Sequence, residues 1–347
     1  MCEVTAGAVL PLDSPAPCGY AGIDLRVSPM SRSSLSLLFA LAALTTAAVS
    51  GADARTSVVP SHYGTANGGS AVTSMRPLPF FYDLYTFRGR GGRTAIVTAF
   101  AVEAGRLETE AANSRTRYRF SVTLVLADTA IGSVSNTHDT VYVDVARPLD
   151  DDHLLFTHVE VPAPPSASTH QRVIMTDATT PGIGQLYSER FPIPDYSGSQ
   201  LMLSDIALGQ PDARAGWQRG DVTLALLPTS RLPSSAFDVY YEIYNLAPAR
   251  DYATDIVIEH DATSERGRAV ERKPVRLRFL GKSESGRERT QAELRRVETS
   301  LPRGRYRMTI TITDLVSRRS VSRSRAFEVG GPANVTMVPA LPPATRR

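Results

Sequence analysis

Apolar and polar residues alternate along most of the chain between residues 77 and 330. From Tyr118 to Leu126 every second side chain is large and apolar, and arginine, serine and threonine fill most positions between. Val141–Val145 and Tyr306–Ile312 follow the same period of two. Such alternation is typical of antiparallel strands with one buried face. On this pattern Ile310 belongs in a core and Thr311 at a surface.

Proline- and glycine-containing turns separate these strands at regular intervals, as at residues 162–165 and 301–304. Many short strands divided by regular turn signals favour an all-β fold built as a sandwich. The best helix candidate is Arg287–Val297, but Leu294 and Val297 are its only large apolar side chains. We therefore interpret it as strand plus loop.

The second half of the chain repeats the first. Three features recur at an offset of about 135 residues, a length typical of one domain. They are Tyr118–Asp128 and Tyr252–Asp261, Asp177 and Asp314, and Phe191 and Phe327. A period that long indicates two copies of a whole domain. The sequence thus predicts two tandem Ig-like or fibronectin-like antiparallel β-sandwiches.

The predicted domain boundaries are 77–203 and 204–330. The segment with Pro192 and Pro194 connects the repeats, and we expect it to be a solvent-accessible hinge between two separately folded units. Proteolysis would then cut near residues 195–200.

The N-terminal region has the pattern of a secretory signal peptide. Met30-Ser-Arg32 precedes the short apolar stretch Leu35–Val49, and Ala52-Asp-Ala54 fits a cleavage site. We interpret residues 30–54 as the signal peptide and residues 1–29 as a mis-called extension. An uncleaved N-terminal anchor is the alternative.

The flanking segments predict an exported chain without thiols. Cys2 and Cys18 both lie upstream of the predicted cleavage site, so the mature chain has no cysteine. This favours a bacterial periplasmic or extracellular location, with no transmembrane segment in the mature chain. Residues 55–76 are rich in Gly, Ser, Thr and Ala and suggest a flexible linker, and residues 331–347 suggest a disordered tail.

The sequence Leu301-Pro-Arg-Gly-Arg-Tyr306, directly before an alternating strand, predicts a tyrosine corner. In such a corner the tyrosine hydroxyl bonds back to the main chain a few residues upstream. The first repeat has Thr169 at the matching position, so the corner is not expected there.

Several motifs together resemble the β-sandwich portion of bacterial GWxTD-domain proteins. They are Pro194-Asp-Tyr-Ser, Leu203-Ser-Asp-Ile206, Val239-Tyr-Tyr-Glu-Ile-Tyr-Asn-Leu246 and Leu301–Ile310, followed by Asp314 and Phe327. The resemblance covers roughly residues 77–330. The motif that names the family is absent, because the only tryptophan lies in Gly216-Trp-Gln-Arg-Gly-Asp221, which we expect to be a loop. The resemblance implies an accessory sandwich tandem without its partner domain.

No catalytic, metal or cofactor site is predicted. The six histidines form no metal-binding spacing. Asp150-Asp-Asp-His153 lacks the spaced oxygen ligands of a calcium loop and suggests a solvated turn. Gly89-Arg-Gly-Gly92 suggests a hairpin tip, not a phosphate loop, because no helix follows it.

Charge divides unevenly between the repeats. Residues 76–204 carry 11 basic and 14 acidic side chains, and residues 205–331 carry 22 and 17. Arg319, Arg323 and Arg325 fall on one face of a predicted strand. That face could bind a polyanion; the simpler interpretation is a solvated strand face that discourages edge pairing.

A second candidate patch is the stripe of Tyr240, Glu242 and Tyr244, which we expect to be exposed opposite Val239, Tyr241 and Ile243. An exposed aromatic stripe could bind glycan or a partner domain; a packing surface for a neighbouring element is the alternative.

The sequence therefore favours an exported, non-catalytic scaffold or interaction protein of the bacterial envelope, with an envelope protein or polysaccharide as partner. An extracellular polysaccharide- or polyanion-binding module is the alternative. An enzyme is disfavoured because no nucleophile–base pair or paired carboxylates can be argued, and nucleic acid is not expected as a partner.

Overall fold

The computed structural model of the protein describes residues 76–211, 216–228, 232, 236–261, 273–283, 290–298 and 301–330. The predicted N-terminal extension, signal peptide and C-terminal tail lie outside these residues, as does the predicted linker apart from Arg76. The described residues belong to one compact unit, Gly51–Arg347.

The first repeat contains nine strands and one short 3-10 turn, Ala104–Arg106. The strands are β1 (Arg76–Pro77), β2 (Phe81–Arg88), β3 (Thr94–Glu103), β4 (Thr109–Ala112), β5 (Arg115–Asp128), β6 (Ser133–Val145), β7 (Leu154–Ala163), β8 (His170–Asp177) and β9 (Ile183–Arg190). They form two sheets. One has the order β2-β3-β7, and in the other β5 lies between β6 and β8, with β9 beyond β8.

The second repeat contains ten described strands. They are β10 (Met202–Leu203), β11 (Ala207–Pro211), β12 (Trp217–Arg219), β13 (Val222–Leu226), β14 (Ala236–Tyr244), β15 (Asp251–His260), β16 (Val275–Lys282), β17 (Thr290–Glu298), β18 (Gly304–Asp314) and β19 (Ser320–Val329). One sheet joins β11, β14 and β17, and the other has the order β16-β15-β18-β19.

The two repeats share one strand order. In each, one sheet has three antiparallel strands at its centre (β2, β3 and β7, or β11, β14 and β17), and the other, called the four-stranded sheet below, has four (β6, β5, β8 and β9, or β16, β15, β18 and β19). The short strands β1 and β4 extend the first repeat's four-stranded sheet, and β10 pairs with β14 in the second repeat. The β12–β13 hairpin, which pairs with β11, has no counterpart in the first repeat. The chain is thus an all-β protein of two tandem antiparallel sandwiches, as predicted.

The four-stranded sheets show the predicted alternation. Along β18, Met308, Ile310 and Ile312 are buried, while Thr309 and Thr311 on the other face bond to serine hydroxyls of β19. The helix candidate Arg287–Val297 is a strand wherever the structure describes it, as part of Thr290–Glu298; its first three residues lie outside the described residues.

Strand pairing refines the alignment of the repeats. Asp177 and Asp314 end β8 and β18, and each uses Oδ1 to accept two backbone N–H groups of the following turn. Asp177 pairs with Phe120, whereas Asp314 pairs with Tyr252. Phe120, not Tyr118, is therefore the structural counterpart of Tyr252. A shift of two residues keeps the same side chains on the same face of the strand, so the alternation of apolar and polar residues cannot reveal it.

The predicted tyrosine corner is present in the second repeat: Tyr306 donates its hydroxyl hydrogen to the Pro302 carbonyl at 2.7 Å. In the first repeat the matching Thr169 is buried, and its Oγ1 has no hydrogen-bond partner among the described residues. Gly89–Gly92 lies in the turn between β2 and β3, where Gly91 and Gly92 have positive φ, as expected of a hairpin tip.

Three hydrophobic clusters form the described core. One belongs to the first repeat alone and includes Phe120 and Leu124. The second fills the sandwich of the second repeat but also takes in Phe81 and Phe156 from the first. The third lies between the repeats. The first repeat therefore has a hydrophobic core of its own, whereas the core of the second repeat includes residues of the first. Such shared packing does not favour a free hinge between two separately folded units; the domain boundaries at 203 and 204 stay a prediction.

Candidate functional site

The two repeats meet at a junction, where the sheet of β2, β3 and β7 packs on the sheet that contains β11 and β14. Every residue of β2 from Phe81 to Phe87 is buried, so both faces of the strand are covered. Tyr82 and Leu84 point into the first repeat's core, whereas Tyr85 and Phe87 belong to the cluster between the repeats. A strand buried on both faces needs a second packing layer.

Aromatic rings occupy the centre of this junction. Phe87 stacks on Trp217 with ring centroids 5.0 Å apart, and Tyr240 packs edge-on against Trp217 at 5.3 Å. The Trp217 Nε1–H donates to Glu160 of the first repeat at 3.0 Å. The prediction that Trp217 lies in a loop is wrong: it begins β12 and is almost fully buried, because the hairpin inserts it between the repeats.

Glu242 is the centre of a buried polar network. It accepts hydrogen bonds from the Tyr240 hydroxyl at 2.7 Å, from the Tyr244 hydroxyl at 2.6 Å and from the Arg219 guanidinium. Arg219 also donates to the Arg88 carbonyl at 2.6 Å, which joins the network to the first repeat. Burial first and the Glu242 charge second raise the pKa of both tyrosines, so their hydroxyls stay protonated and donate.

A second charged pair lies at the other end of the junction. Arg325 on β19 donates to Asp83 on β2 at 2.9 Å, with both side chains buried, and to the Leu84 carbonyl at 3.2 Å. Its guanidinium lies 4.2 Å from the centroid of the Tyr85 ring. A desolvated arginine thus meets a carboxylate, a carbonyl and an aromatic face, all from the other repeat.

A third ion pair joins Asp205, at the start of the second repeat, to Arg323. The Asp205 Oδ1 accepts from Arg323 Nε at 2.8 Å, and its Oδ2 accepts from both the backbone N–H and the hydroxyl of Thr86. Burial alone would raise the pKa of Asp205, but the nearby charges of Arg323 and Arg325 and the bond from Thr86 lower it overall. Asp205 is therefore ionised at neutral pH.

The structure separates the three arginines of the predicted basic face. Arg323 and Arg325 point inward on β19 and pair with Asp205 and Asp83, while Arg319 lies exposed in the turn before the strand. The expectation that all three share a solvent-facing surface is wrong. The inward face of β19 continues past its own sandwich, and β2 of the first repeat covers it.

The prediction that the stripe of Tyr240, Glu242 and Tyr244 is exposed is also wrong. Tyr240 and Tyr244 are both 0% exposed, and Glu242 between them is 3% exposed. The alternative that the stripe is a packing surface fits these positions. One signal could have found the junction: β14 places a lone carboxylate between two tyrosines on one face, a set that can satisfy its own hydrogen bonds when buried.

An open cleft lies beside the junction, with a volume of about 560 Å³. One wall is the segment Phe191–Asp195 that connects the repeats, and another is Pro165–Ala167. Leu84 and Thr86 of β2, Gln171, Glu189, Arg190, Asp205 and Arg323 complete the lining. The connecting segment is only partly accessible, because Ile193 and Tyr196 are buried while Pro192 and Asp195 are exposed.

Within the described residues, no group of three or more His, Cys, Asp and Glu side chains is placed to hold a metal ion. None of the helical structure in those residues is long and apolar enough to span a membrane. In Asp150–His153 the three aspartates are exposed and His153 is buried, with its N–H bonded to the Asp150 carbonyl.

No family model matches the chain, and no curated protein matches it. Among solved structures, red sea bream transglutaminase is 10% identical over 72% of this chain and 31% of its own, with a TM-score of 0.20. A Bacteroides uniformis β-glucuronidase is 10% identical over 68% and 26%, with a TM-score of 0.21. The chain spans less than a third of either protein.

Proposed function

We propose that this protein is an exported, non-catalytic scaffold or interaction protein of the bacterial envelope, in which two sandwiches act as one rigid body. The observation that supports this most is the junction between the repeats. Its aromatic rings and the Arg325–Asp83 pair are buried, and such an interface resists relative motion far better than a small polar contact. A rigid tandem presents its two outer sheets at a fixed spacing and orientation.

The resemblance to the sandwich portion of GWxTD-domain proteins and the signal-peptide pattern belong to the same proposal. An accessory tandem acts by contact, so its outer surfaces matter more than any reactive group. The two four-stranded sheets face away from the junction and offer hydroxyl-rich faces, such as the Thr311–Ser322 pair. The polyanion-binding alternative loses support, because two of its three arginines are already neutralised inside the junction.

Cell fractionation with N-terminal sequencing tests the export part. The exported chain should begin at Arg55; an intracellular chain that retains residues 1–54 would overturn this part of the proposal. Export alone does not establish contact with a partner, which needs a separate experiment.

Site-specific photocrosslinking in cells tests the interaction part. A photoreactive residue at Ser322 on the outer sheet should give a discrete larger adduct, whereas the same residue at Asp221, in the exposed β12–β13 turn, serves as the control. Mass spectrometry of the Ser322 adduct should identify an envelope protein. If neither this position nor Thr140 on the first repeat's outer sheet yields a specific adduct, the proposal fails.

A further inference from the structure

We propose that the cleft beside the junction is a binding site for a neutral oligosaccharide. The inference goes beyond the scaffold function, which stands or falls without it. At about 560 Å³ the cleft has the size of a small-molecule pocket and lies between two domain-sized repeats, where such pockets are common.

The walls of the cleft present flat apolar surface. Pro165, Pro192, Pro194 and Phe191 line it. Sugar rings carry apolar C–H faces beside their hydroxyls, so they pack on rigid rings of this kind. Because prolines and a folded connecting segment are already ordered, little conformational entropy is lost when a ligand binds.

Polar groups at the cleft offer both donors and acceptors. Gln171 is 1% exposed, and its Oε1 has no hydrogen-bond partner among the described residues. Arg323 donates through Nε and Nη2, which leaves Nη1 without a bond to any described residue. Arg190 and Asp195 are exposed at the rim, and the Asp195 side chain accepts the Ser197 N–H through Oδ1.

This set of planar side chains suits hydroxyl groups. A hydroxyl donates one hydrogen bond and accepts others, so vicinal hydroxyls can use an amide oxygen, a carboxylate and a guanidinium together. The unpartnered Gln171 oxygen needs a donor in particular, because a buried acceptor without a partner costs about 1–3 kcal/mol.

Charge argues against an acidic ligand. Three carboxylates line the cleft, those of Glu189, Asp195 and Asp205, against the two guanidiniums of Arg190 and Arg323. Without an excess of positive charge, the cleft has no reason to attract a polyanion.

Backbone pairing argues against an extended peptide. The two lining segments bond to each other, with Ser166 N–H to the Ile193 carbonyl at 3.0 Å and Ile193 N–H to the Ser166 carbonyl at 2.6 Å. The neighbouring prolines have no N–H to offer. A peptide that binds by adding a strand would find these backbone N–H and C=O groups already paired with each other.

Titration calorimetry on the full exported chain tests the proposal. The probes are neutral hexasaccharides of glucose (α- and β-linked), N-acetylglucosamine and mannose. A hexauronate tests for an acidic ligand, and a proline-rich decapeptide tests for a peptide ligand. At least one neutral sugar should bind with a dissociation constant below about 1 mM.

Variants at the rim then locate the site. Asp195→Ala and Arg190→Ala should each weaken sugar binding at least about tenfold, because each removes hydrogen bonds to a charged group. The matched controls, Arg172→Ala on the outer face of β8 and Asp221→Ala in the β12–β13 turn, should leave affinity unchanged. All four side chains are exposed, so thermal unfolding should confirm that every variant folds.

Any of three results would overturn the inference. The first is that no neutral sugar binds, the second is that binding persists in both rim variants, and the third is that only the uronate or the peptide binds. None of them would touch the scaffold proposal, which the crosslinking experiment decides on its own.

Discussion

The junction sheets and the outer sheets obey opposite rules, although both are built from alternating strands. On β18 in an outer sheet, buried and partly exposed residues alternate along the strand. On β14 in a junction sheet, every residue from Phe237 to Tyr244 is buried. The difference teaches that alternation fixes which residues share a face, but not what that face meets. A face with polar side chains meets solvent on the outer sheet, whereas on the junction sheet it packs against the other repeat and its charge is paired.

The largest expected effect comes from removing Glu242. Glu242→Ala removes the acceptor of two buried tyrosine hydroxyls and the carboxylate that pairs with the partly buried Arg219, which should cost about 3–5 kcal/mol of unfolding free energy. Urea unfolding of the full chain measures it.

The matched control is Glu298→Ala, a carboxylate on the neighbouring strand β17 whose side chain is 72% exposed and pairs with Arg296. An exposed pair contributes at most about 1 kcal/mol. Equal losses in the two variants would mean that the junction is solvated in solution.

The outer-sheet rule is tested on one strand with two neighbouring residues. Ile310→Ala should cost about 2–5 kcal/mol, because Ile310 is fully buried and its truncation leaves a cavity. Thr311→Ala loses one hydroxyl pair at the surface and should stay within about 0.5 kcal/mol. Similar shifts of the denaturant midpoint for both would show that the register of β18 is wrong.

The third prediction concerns acid. The pKa of Asp205 is lowered in the folded protein, so its ionised form stabilises the fold above the unfolded pKa of about 4, and this contribution is lost as pH falls through the folded value. Wild-type stability should therefore fall below about pH 4. Asp205→Asn is less stable at pH 7 but should fall less steeply in acid. If the stability of the wild type and that of Asp205→Asn fall equally as the pH is lowered, another carboxylate controls the loss of stability in acid.

Much of the fold could be predicted from the sequence, because the signals are local. The period of two places Ile310 correctly, the proline and glycine turns separate the strands, and the Leu-Pro-x-Gly-x-Tyr pattern finds the corner at Tyr306. The repeat is visible because Asp177 and Asp314 make the same turn. All of these depend on neighbours within one or two strands.

The tyrosine–glutamate face of β14 could have indicated a buried surface, but the partners across the junction could not be predicted, because they lie far apart in the chain. Arg325 meets Asp83 across the two repeats, and Trp217 reaches Glu160 in the same way. No periodicity in the chain encodes such a partner. An arginine on a strand looks solvated until the other repeat is placed against it.

The smallest expected effect separates the arginines that the sequence grouped together. Arg319→Ser should change the free energy of unfolding by no more than about 0.5 kcal/mol, because the side chain is exposed and no described residue pairs with it. Arg325→Ser is the contrast: it leaves Asp83 buried without its cation and should cost about 3–5 kcal/mol. Raising the salt concentration should not narrow this gap, since buried pairs are screened far less than surface charges. If the difference in unfolding free energy between the two variants disappears at high salt, Arg325 lies at the surface and the predicted basic face is restored.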